Sequence, residues 1–284
     1  GAAFGGFGVS GNLTVARTQD PGYGGDDLIK GLAGADLLMG GRGADVIEGA
    51  EGRNVIVGDY AEAKNYTEGA QAEISTTGMA ASETEGGNED VLTGGPDRDL
   101  IFGGLSSDEI SGGGDRDLLV GDQGEATWDA LEINYLATSE HAVGGDDVIY
   151  GGEERDTVFG GSASDEIYGE AADDLLVGDS ASIQAPFGNS SLTSSISALG
   201  GRDTILGGDA NDIAYGGPAG DVIWGNAGSD TAYGEAGPDI LFGDEGDYSK
   251  SEDGGDASLT QASASGDVDH LEGNGGDDVI FGGE

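Results

Sequence analysis

The chain has 284 residues and a formal net charge of −46, from 56 acidic and 10 basic side chains. Nucleic acids and anionic membranes are excluded as expected partners, because they would repel so acidic a chain. The sequence contains no cysteine, which excludes disulfides and thiolate metal sites. No apolar run approaches the ~20 residues of a membrane-spanning helix, so we expect no direct membrane insertion.

A nine-residue unit recurs 19 times, and residues 40–48 (GGRGADVIE) are a clear copy. Position six is aspartate in 18 copies and Asn54 in the other, while position eight is nearly always aliphatic. The glycine-rich positions one to six predict a turn, and positions seven to nine predict a short strand whose eighth residue points inward. This period, with one acid per glycine turn, predicts a parallel β-solenoid whose turns bind calcium.

The copies form five blocks that alternate with inserts, and we interpret residues 1–284 as one continuous segment. The blocks cover residues 22–57, 85–120, 142–177, 198–242 and 264–284. The inserts cover residues 1–21, 58–84, 121–141, 178–197 and 243–263, and Gly-Asp follows each complete block. Alternating stretches such as residues 131–135 predict that the inserts are β arms with one packed face, with flexible linkers as the alternative.

Two other positions of the repeat carry expectations. Position nine is often aromatic, as in Phe102 and Tyr150. This outward row is predicted to be the floor on which the inserts pack, and a ligand-stacking surface is the alternative. Position four is not glycine in ten copies, and alanines such as Ala163 and Ala219 are expected to tolerate a left-handed backbone poorly. Those turns are expected to adopt another conformation or to bind calcium weakly.

The position-six aspartates are the predicted metal ligands. Stacked turns offer carboxylate and free carbonyl oxygens, and calcium accepts six to eight of them in a flexible geometry. Magnesium prefers a strict octahedron, and zinc would want histidine or cysteine, of which the chain has only His141 and His270. One ion between turns stacked one coil apart gives roughly nine to 17 sites. The candidate ligands are Asp27, Asp36, Asp45, Asp90, Asp99, Asp108, Asp117, Asp147, Asp156, Asp165, Asp174, Asp203, Asp212, Asp221, Asp230, Asp239, Asp269 and Asp278.

The predicted core is thin, because each copy contributes a single inward side chain. Glycine-rich turns lose much conformational entropy on folding, and the stacked carboxylates repel one another. We therefore expect that the metal-free chain is largely disordered and that calcium drives folding.

The unit resembles the RTX nonapeptide, Gly-Gly-x-Gly-x-Asp-x-aliphatic-x, over about 173 of the 284 residues. The resemblance implies an all-β fold, a right-handed parallel β-roll or β-solenoid of nonapeptide repeats with periodic inserted β arms. It implies that the position-six aspartates bind calcium together with carbonyls of turn residues such as Gly40 and Gly94. It also implies type I secretion from Gram-negative bacteria, with folding outside the cell.

We expect a structural spacer or matrix region of a large secreted or cell-surface bacterial protein, of adhesin or S-layer type. The chain is interpreted as part of a longer protein. Within this chain we expect no catalytic residues and no organic cofactor. Paired acids such as Asp146-Asp147 fall at positions five and six, so they are interpreted as turn residues. The alternatives are an accessory β-roll of a secreted enzyme, such as a polysaccharide-modifying one, and a surface that binds glycans or other surface proteins.

Overall fold

The computed structural model describes residues 13–18, 24–66, 72–76, 88–129, 132–138, 144–184, 186, 191–194, 200–244, 246–249, 258–261 and 267–283. These residues form 28 β-strands, numbered β1 to β28 in chain order, and no helix. The predicted all-β fold is confirmed. The described ranges accordingly include no helix with the length and apolarity that a bilayer crossing requires.

Two parallel sheets form a roll, because successive nonapeptides contribute strands to them alternately. The ten-stranded sheet comprises β2 (Leu28–Ala33), β4 (Val46–Glu51), β8 (Val91–Gly95), β10 (Glu109–Gly113), β14 (Val148–Gly152), β16 (Glu166–Ala171), β20 (Thr204–Asp209), β22 (Val222–Ala227), β24 (Ile240–Phe242) and β28 (Val279–Phe281). The nine-stranded sheet comprises β3 (Leu37–Met39), β5 (Val55–Val57), β9 (Leu100–Gly104), β11 (Leu118–Asp122), β15 (Thr157–Gly161), β17 (Leu175–Asp179), β21 (Ile213–Pro218), β23 (Thr231–Ala236) and β27 (His270–Glu272). The predicted parallel β-roll is confirmed.

The coils stack in register straight across the inserts. Ile47 lies opposite Leu92, and Ile110 lies opposite Ile149, although an insert separates the two residues of each pair. The position-eight side chains lie between the two sheets, where 15 of them form one fully packed apolar cluster. Ile29, Leu38 and Leu271 pack against that cluster near the ends of the roll. Position eight is therefore the core position, as predicted.

The inserts build a third sheet, which is antiparallel. It comprises β1 (Leu13–Arg17), β6 (Glu62–Tyr66), β7 (Ala72–Ser75), β12 (Gly124–Asp129), β13 (Glu132–Thr138), β18 (Ala181–Gln184) and β19 (Ser191–Ser194). Ile74, Trp128 and Leu136 of this insert sheet share a buried cluster with Phe102 and Phe159 on the outer face of the nine-stranded sheet. The inserts that form this sheet are β arms with one packed face, as predicted.

The last insert, residues 243–263, follows a different course. Its strands β25 (Gly246–Ser249) and β26 (Ser258–Gln261) form a separate two-stranded sheet. The first three complete blocks contain four copies and end on β5, β11 and β17 of the nine-stranded sheet. The fourth block contains five copies and ends on β24 of the ten-stranded sheet, so its insert begins on the other side of the roll.

The position-nine aromatic residues have two environments. On the nine-stranded sheet, Phe102 and Phe159 are covered by the insert sheet, which confirms the predicted floor for these residues. Tyr215 and Tyr233 of the same sheet stack on each other, with ring centroids 4.9 Å apart. The aromatic residues of the ten-stranded sheet stack on one another between coils, with ring centroids 5.0 Å apart for Tyr150 and Tyr168 and 5.5 Å apart for Trp224 and Phe242. Nearly parallel ring faces in contact stabilise the stacking of coils.

Several position-four alanines adopt the left-handed conformation that glycine favours. The φ angles are 77° at Ala163, 78° at Ala172, 84° at Ala210 and 88° at Ala219. The idea that these turns take another conformation is therefore wrong for these copies. Stacking on neighbouring coils fixes the turn, so the alanine side chain is accepted at a cost in strain.

We expect Ala219→Gly to raise the free energy of unfolding by about 1 kcal/mol, because glycine removes the left-handed strain at this position. Denaturant titration in excess calcium measures the change. Ala227→Gly is the matched control, since Ala227 lies in an exposed part of the next turn and outside the positive-φ set. The control should be neutral or destabilising, and an equal gain in both variants would contradict the strain argument.

Candidate metal centre

The position-six side chains form two columns, one along each edge of the roll. Apart from Asp27 and Asp36, which begin the columns, each position-six side chain accepts at Oδ1 a hydrogen bond from the backbone N–H of the position-six residue one coil earlier, as Asp108 does from Asp90 at 2.8 Å. The columns continue across inserts, where Asp108 N–H donates to Asp147 at 2.8 Å. One column contains Asp27, Asp45, Asp90, Asp108, Asp147, Asp165, Asp203, Asp221, Asp239 and Asp278. The other contains Asp36, Asn54, Asp99, Asp117, Asp156, Asp174, Asp212, Asp230 and Asp269.

The second carboxylate oxygen has a different environment. In 16 of the 18 position-six aspartates, Oδ2 is buried and accepts no hydrogen bond from the described residues. Only Asp27 and Asp278, at the two ends of one column, lack this feature. A buried charged oxygen without a partner is costly, so each of these turns requires a compensating cation or proton.

Asn54 shows which atoms surround that oxygen. Its Oδ1 takes the usual place in the column, accepting from Asp36 N–H at 3.1 Å. Its Nδ2 donates to the carbonyl oxygens of Ala50 at 3.3 Å and Gly52 at 2.8 Å, which are positions two and four of the same turn. In the other copies an acceptor oxygen, Oδ2, replaces this amide donor. Oxygen lone pairs then face one another with no hydrogen between them.

The glycine at position one leaves room beside this oxygen. A Cβ built on Gly151 would lie 2.7 Å from Asp156 Oδ2 and 2.7 Å from the carbonyl oxygen of Gly169 in the next coil. On Gly207 it would lie 2.5 Å from Asp212 Oδ2 and 2.6 Å from the Gly225 carbonyl oxygen. A side chain would therefore block a cradle that is lined by a carboxylate and by backbone carbonyls.

Burial makes these carboxyl groups weak acids in the absence of a cation. Desolvation raises the pKa of Asp99 to about 8 and the pKa of Asp117 to about 9. At Asp108, desolvation and repulsion from Asp147 raise the pKa to about 10. A divalent cation favours the charged form, so it would oppose both causes.

The donor set fits calcium. Among the described residues, no three histidine, cysteine, aspartate or glutamate side chains converge on one point. A cation in these turns would therefore be held by one or two carboxylates and several carbonyl oxygens. Calcium takes hard oxygen ligands of both kinds in an adaptable geometry, whereas zinc would need nitrogen or sulfur ligands.

The inserts interrupt a turn rather than following it. A Cβ built on Gly178 would meet Asp203 Oδ2, so Gly178 fills position one for the aspartate beyond the insert. Gly58, Gly121 and Gly243 stand in the same relation to Asp90, Asp147 and Asp269. The residue after each of these glycines occupies position two and is buried. We call these four residues the junction aspartates: Asp59, Asp122, Asp179 and Asp244.

The fold and its turns define a class of protein, a parallel β-roll with oxygen-lined cradles at both edges. The family model described as "RTX calcium-binding nonapeptide repeat (4 copies)" matches residues 21–56, 86–125, 141–180, 195–223, 215–249 and 263–284. These matches cover more than half of the chain, which therefore belongs to the family of RTX calcium-binding nonapeptide repeats. No match was found among curated proteins.

We expect Asn54→Asp to add one calcium ion per chain, because it replaces the amide donor by the carboxylate found in the other turns. Equilibrium dialysis with metal analysis of the dialysed protein measures the ion count. Asn211→Asp is the control, since it adds the same charge at an exposed position five, outside the proposed ligand positions. A calcium count that stays unchanged in Asn54→Asp, or that rises equally in both variants, would count against the Asn54 comparison.

Proposed function

We propose that this chain is a calcium-stiffened structural region of a secreted or cell-surface bacterial protein, serving as a spacer or matrix element of adhesin or S-layer type. The observation that carries the proposal is the double column of position-six side chains, which continues across the inserts. Its 16 Oδ2 atoms that are buried without a hydrogen-bond partner among the described residues support a set of about 16 calcium ligands distributed along the roll. Calcium ions bound along the whole length would stiffen the roll throughout, whereas a single regulatory site would affect only one part of it.

We propose calcium as the only cofactor, bound by the position-six aspartates and the carbonyls at positions one, two and four. Bound calcium supplies positive charge that offsets the repulsion between stacked carboxylates. About 16 divalent ions would offset roughly two thirds of the net charge of −46. Many calcium sites would fill at the millimolar calcium of an extracellular medium, so we propose that the chain folds after export by a type I route.

The acidic pairs support a structural role over an enzymatic one. Asp147 lies in the column, while the neighbouring Asp146 is exposed and its Oδ1 accepts from Ser164 N–H at 3.0 Å in the next coil. The two carboxylates of this pair thus have separate structural roles. The second hypothesis is an accessory β-roll of a secreted enzyme. Flanking sequence with more blocks of the same kind would support the spacer, and a flanking catalytic domain would support the accessory role.

Small-angle X-ray scattering with calcium counting tests the proposal. In excess calcium we expect an elongated rigid particle with about 16 bound ions per chain, since each buried Oδ2 requires a cation. In chelator we expect the larger radius of gyration of an expanded chain. A rod of the same dimensions under both conditions, or only one or two bound ions, would refute the stiffening role.

A further inference from the structure

The junction aspartates lie where each insert leaves the roll. Their side chains are 1% exposed at Asp59, 2% at Asp122 and Asp179, and 4% at Asp244. A Cβ on the next coil's position-two glycine would meet them, as Gly217 would meet Asp179 Oδ2. The junction carboxylate therefore fills the space that stays free because the position-two glycine of the next coil has no side chain. This space lies inside the edge of the roll.

Asp179 shows what one carboxylate oxygen does there. Its Oδ1 accepts a hydrogen bond from Gly201 N–H at 3.3 Å, and Gly201 is the position-four residue on the far side of the insert. The side chain thus links the two ends of the insert. Asp122 makes the equivalent contact with Gly145 N–H at 3.2 Å.

The other oxygen of Asp179 has no such role. At Asp59 and Asp122, Oδ2 accepts from the position-three N–H of the next coil, which belongs to Leu105 and Ser162 respectively. The next coil after Asp179 carries Pro218 at that position, and proline has no N–H. Asp179 Oδ2 is therefore buried and accepts no hydrogen bond from the described residues.

Two more junctions share this feature. Asp59 Oδ1 and Asp244 Oδ2 are likewise buried without a hydrogen-bond partner among the described residues. At Asp122, by contrast, both oxygens accept backbone hydrogen bonds. Three of the four junctions therefore present an additional uncompensated carboxylate oxygen.

Each of these three junction aspartates has a position-six aspartate as an electrostatic neighbour. The position-six group that repels Asp179 most is Asp203, which lies beyond the insert, and Asp90 has the same relation to Asp59. Asp269 is repelled in turn by Asp244. Gly178 connects the two groups at the third junction, since it precedes Asp179 and borders Asp203 Oδ2.

We propose that Asp59, Asp179 and Asp244 each supply a second carboxylate to the calcium site of the turn that an insert interrupts. This inference rests on the proposed calcium binding of the roll. A site with two carboxylates binds calcium more tightly than a site with one, because affinity rises with ligand charge. The ion would then connect the chain segments on the two sides of the insert and so close the long loop between them. Because these sites are the tightest, they would be the first to fill as calcium rises.

Asp179→Asn tests the proposal, since asparagine keeps an acceptor for Gly201 N–H and removes the charge. Flow dialysis of the whole chain with radioactive calcium should show one fewer tight ion, with that site weakened by at least about tenfold. Asp209→Asn is the matched control, because Asp209 is exposed at position three of the next copy. It should leave the tight class unchanged.

The outcomes separate this inference from the proposed function. If the wild-type chain binds no calcium, the proposed function fails. If the wild type binds its full set and Asp179→Asn binds tight ions as well as Asp209→Asn does, the junction inference alone is overturned. If Asp179→Asn does not fold in saturating calcium, the positions of the calcium ions in anomalous maps of wild-type crystals test the inference instead. A calcium peak within about 2.6 Å of Asp179 Oδ2 supports the inference, and peaks at position-six carboxylates alone overturn it.

Discussion

Transfer of the folded chain from calcium into chelator is expected to remove nearly all of its β structure. The reason is the double column, in which 16 buried carboxylate oxygens have no hydrogen-bond partner among the described residues. Only one side chain per nonapeptide packs between the two sheets, so apolar burial is too small to hold these charges together. Far-UV circular dichroism during a calcium titration measures the transition.

Magnesium at the same ionic strength is the control for this experiment. It should not restore the fold, because it prefers a strict octahedron and releases its water ligands reluctantly. Thermal melting should show a midpoint that rises with calcium concentration, as required when an ion binds the folded state alone. A melting point that does not move on chelation would refute calcium-driven folding.

Acidification of the chain in chelator is expected to restore part of the β structure that chelation removes. Desolvation raises the pKa of Asp108 to about 10, of Asp174 to about 9 and of Asp156 to about 8 in the folded state. The unfolded value is near 3.9. Between about pH 4 and these raised values the folded chain binds more protons, so its stability falls as pH rises through that window. The stabilisation is fully present below about pH 4.

The sign of the pH effect is opposite when calcium is present. Calcium requires the ionised carboxylates, so protons compete with it and the calcium midpoint should move to higher concentration as pH falls from about 8 to 5. Circular dichroism measures both effects, and sedimentation velocity checks that acid-induced β structure belongs to monomers. A metal-free chain with less β structure at about pH 4 than at pH 7 would contradict the argument.

The sequence alone predicted the parts of the fold that follow from the period of nine. Position eight was assigned to the core, and residues such as Ile101 and Ile149 are fully buried there. The position-six aspartates were assigned to the stacked turns, and the structure places all 18 in two columns. These predictions succeed because the same residue types recur at the same positions in 19 copies. This recurrence indicates which positions point into the core and which lie in the turns.

The insert sheet and the role of the Gly-Asp pairs depend on contacts between different coils. The spacing of residues within one copy does not predict such contacts. The nine-stranded sheet carries apolar residues at positions seven and nine, such as Leu118 and Val120, because the insert sheet covers its outer face. The ten-stranded sheet has Glu109 and Ser111 at the same positions. This difference between alternate copies was a readable signal for a third layer. The Gly-Asp pairs were also visible, but their role appears only when Gly178 is placed beside Asp203.

The last insert, residues 243–263, shows how the number of copies in a block determines the side of the roll from which an insert leaves. Each nonapeptide advances the chain by half a coil, so an even block returns it to the same flank and an odd block brings it to the opposite one. Loss of a single nonapeptide from the fourth block would therefore transfer the β25–β26 hairpin to the flank that carries the insert sheet. The chemistry of every remaining turn would be unchanged. A genetic change in units of nine residues would thus move an insert from one side of the roll to the other without altering the turns that hold the coils together.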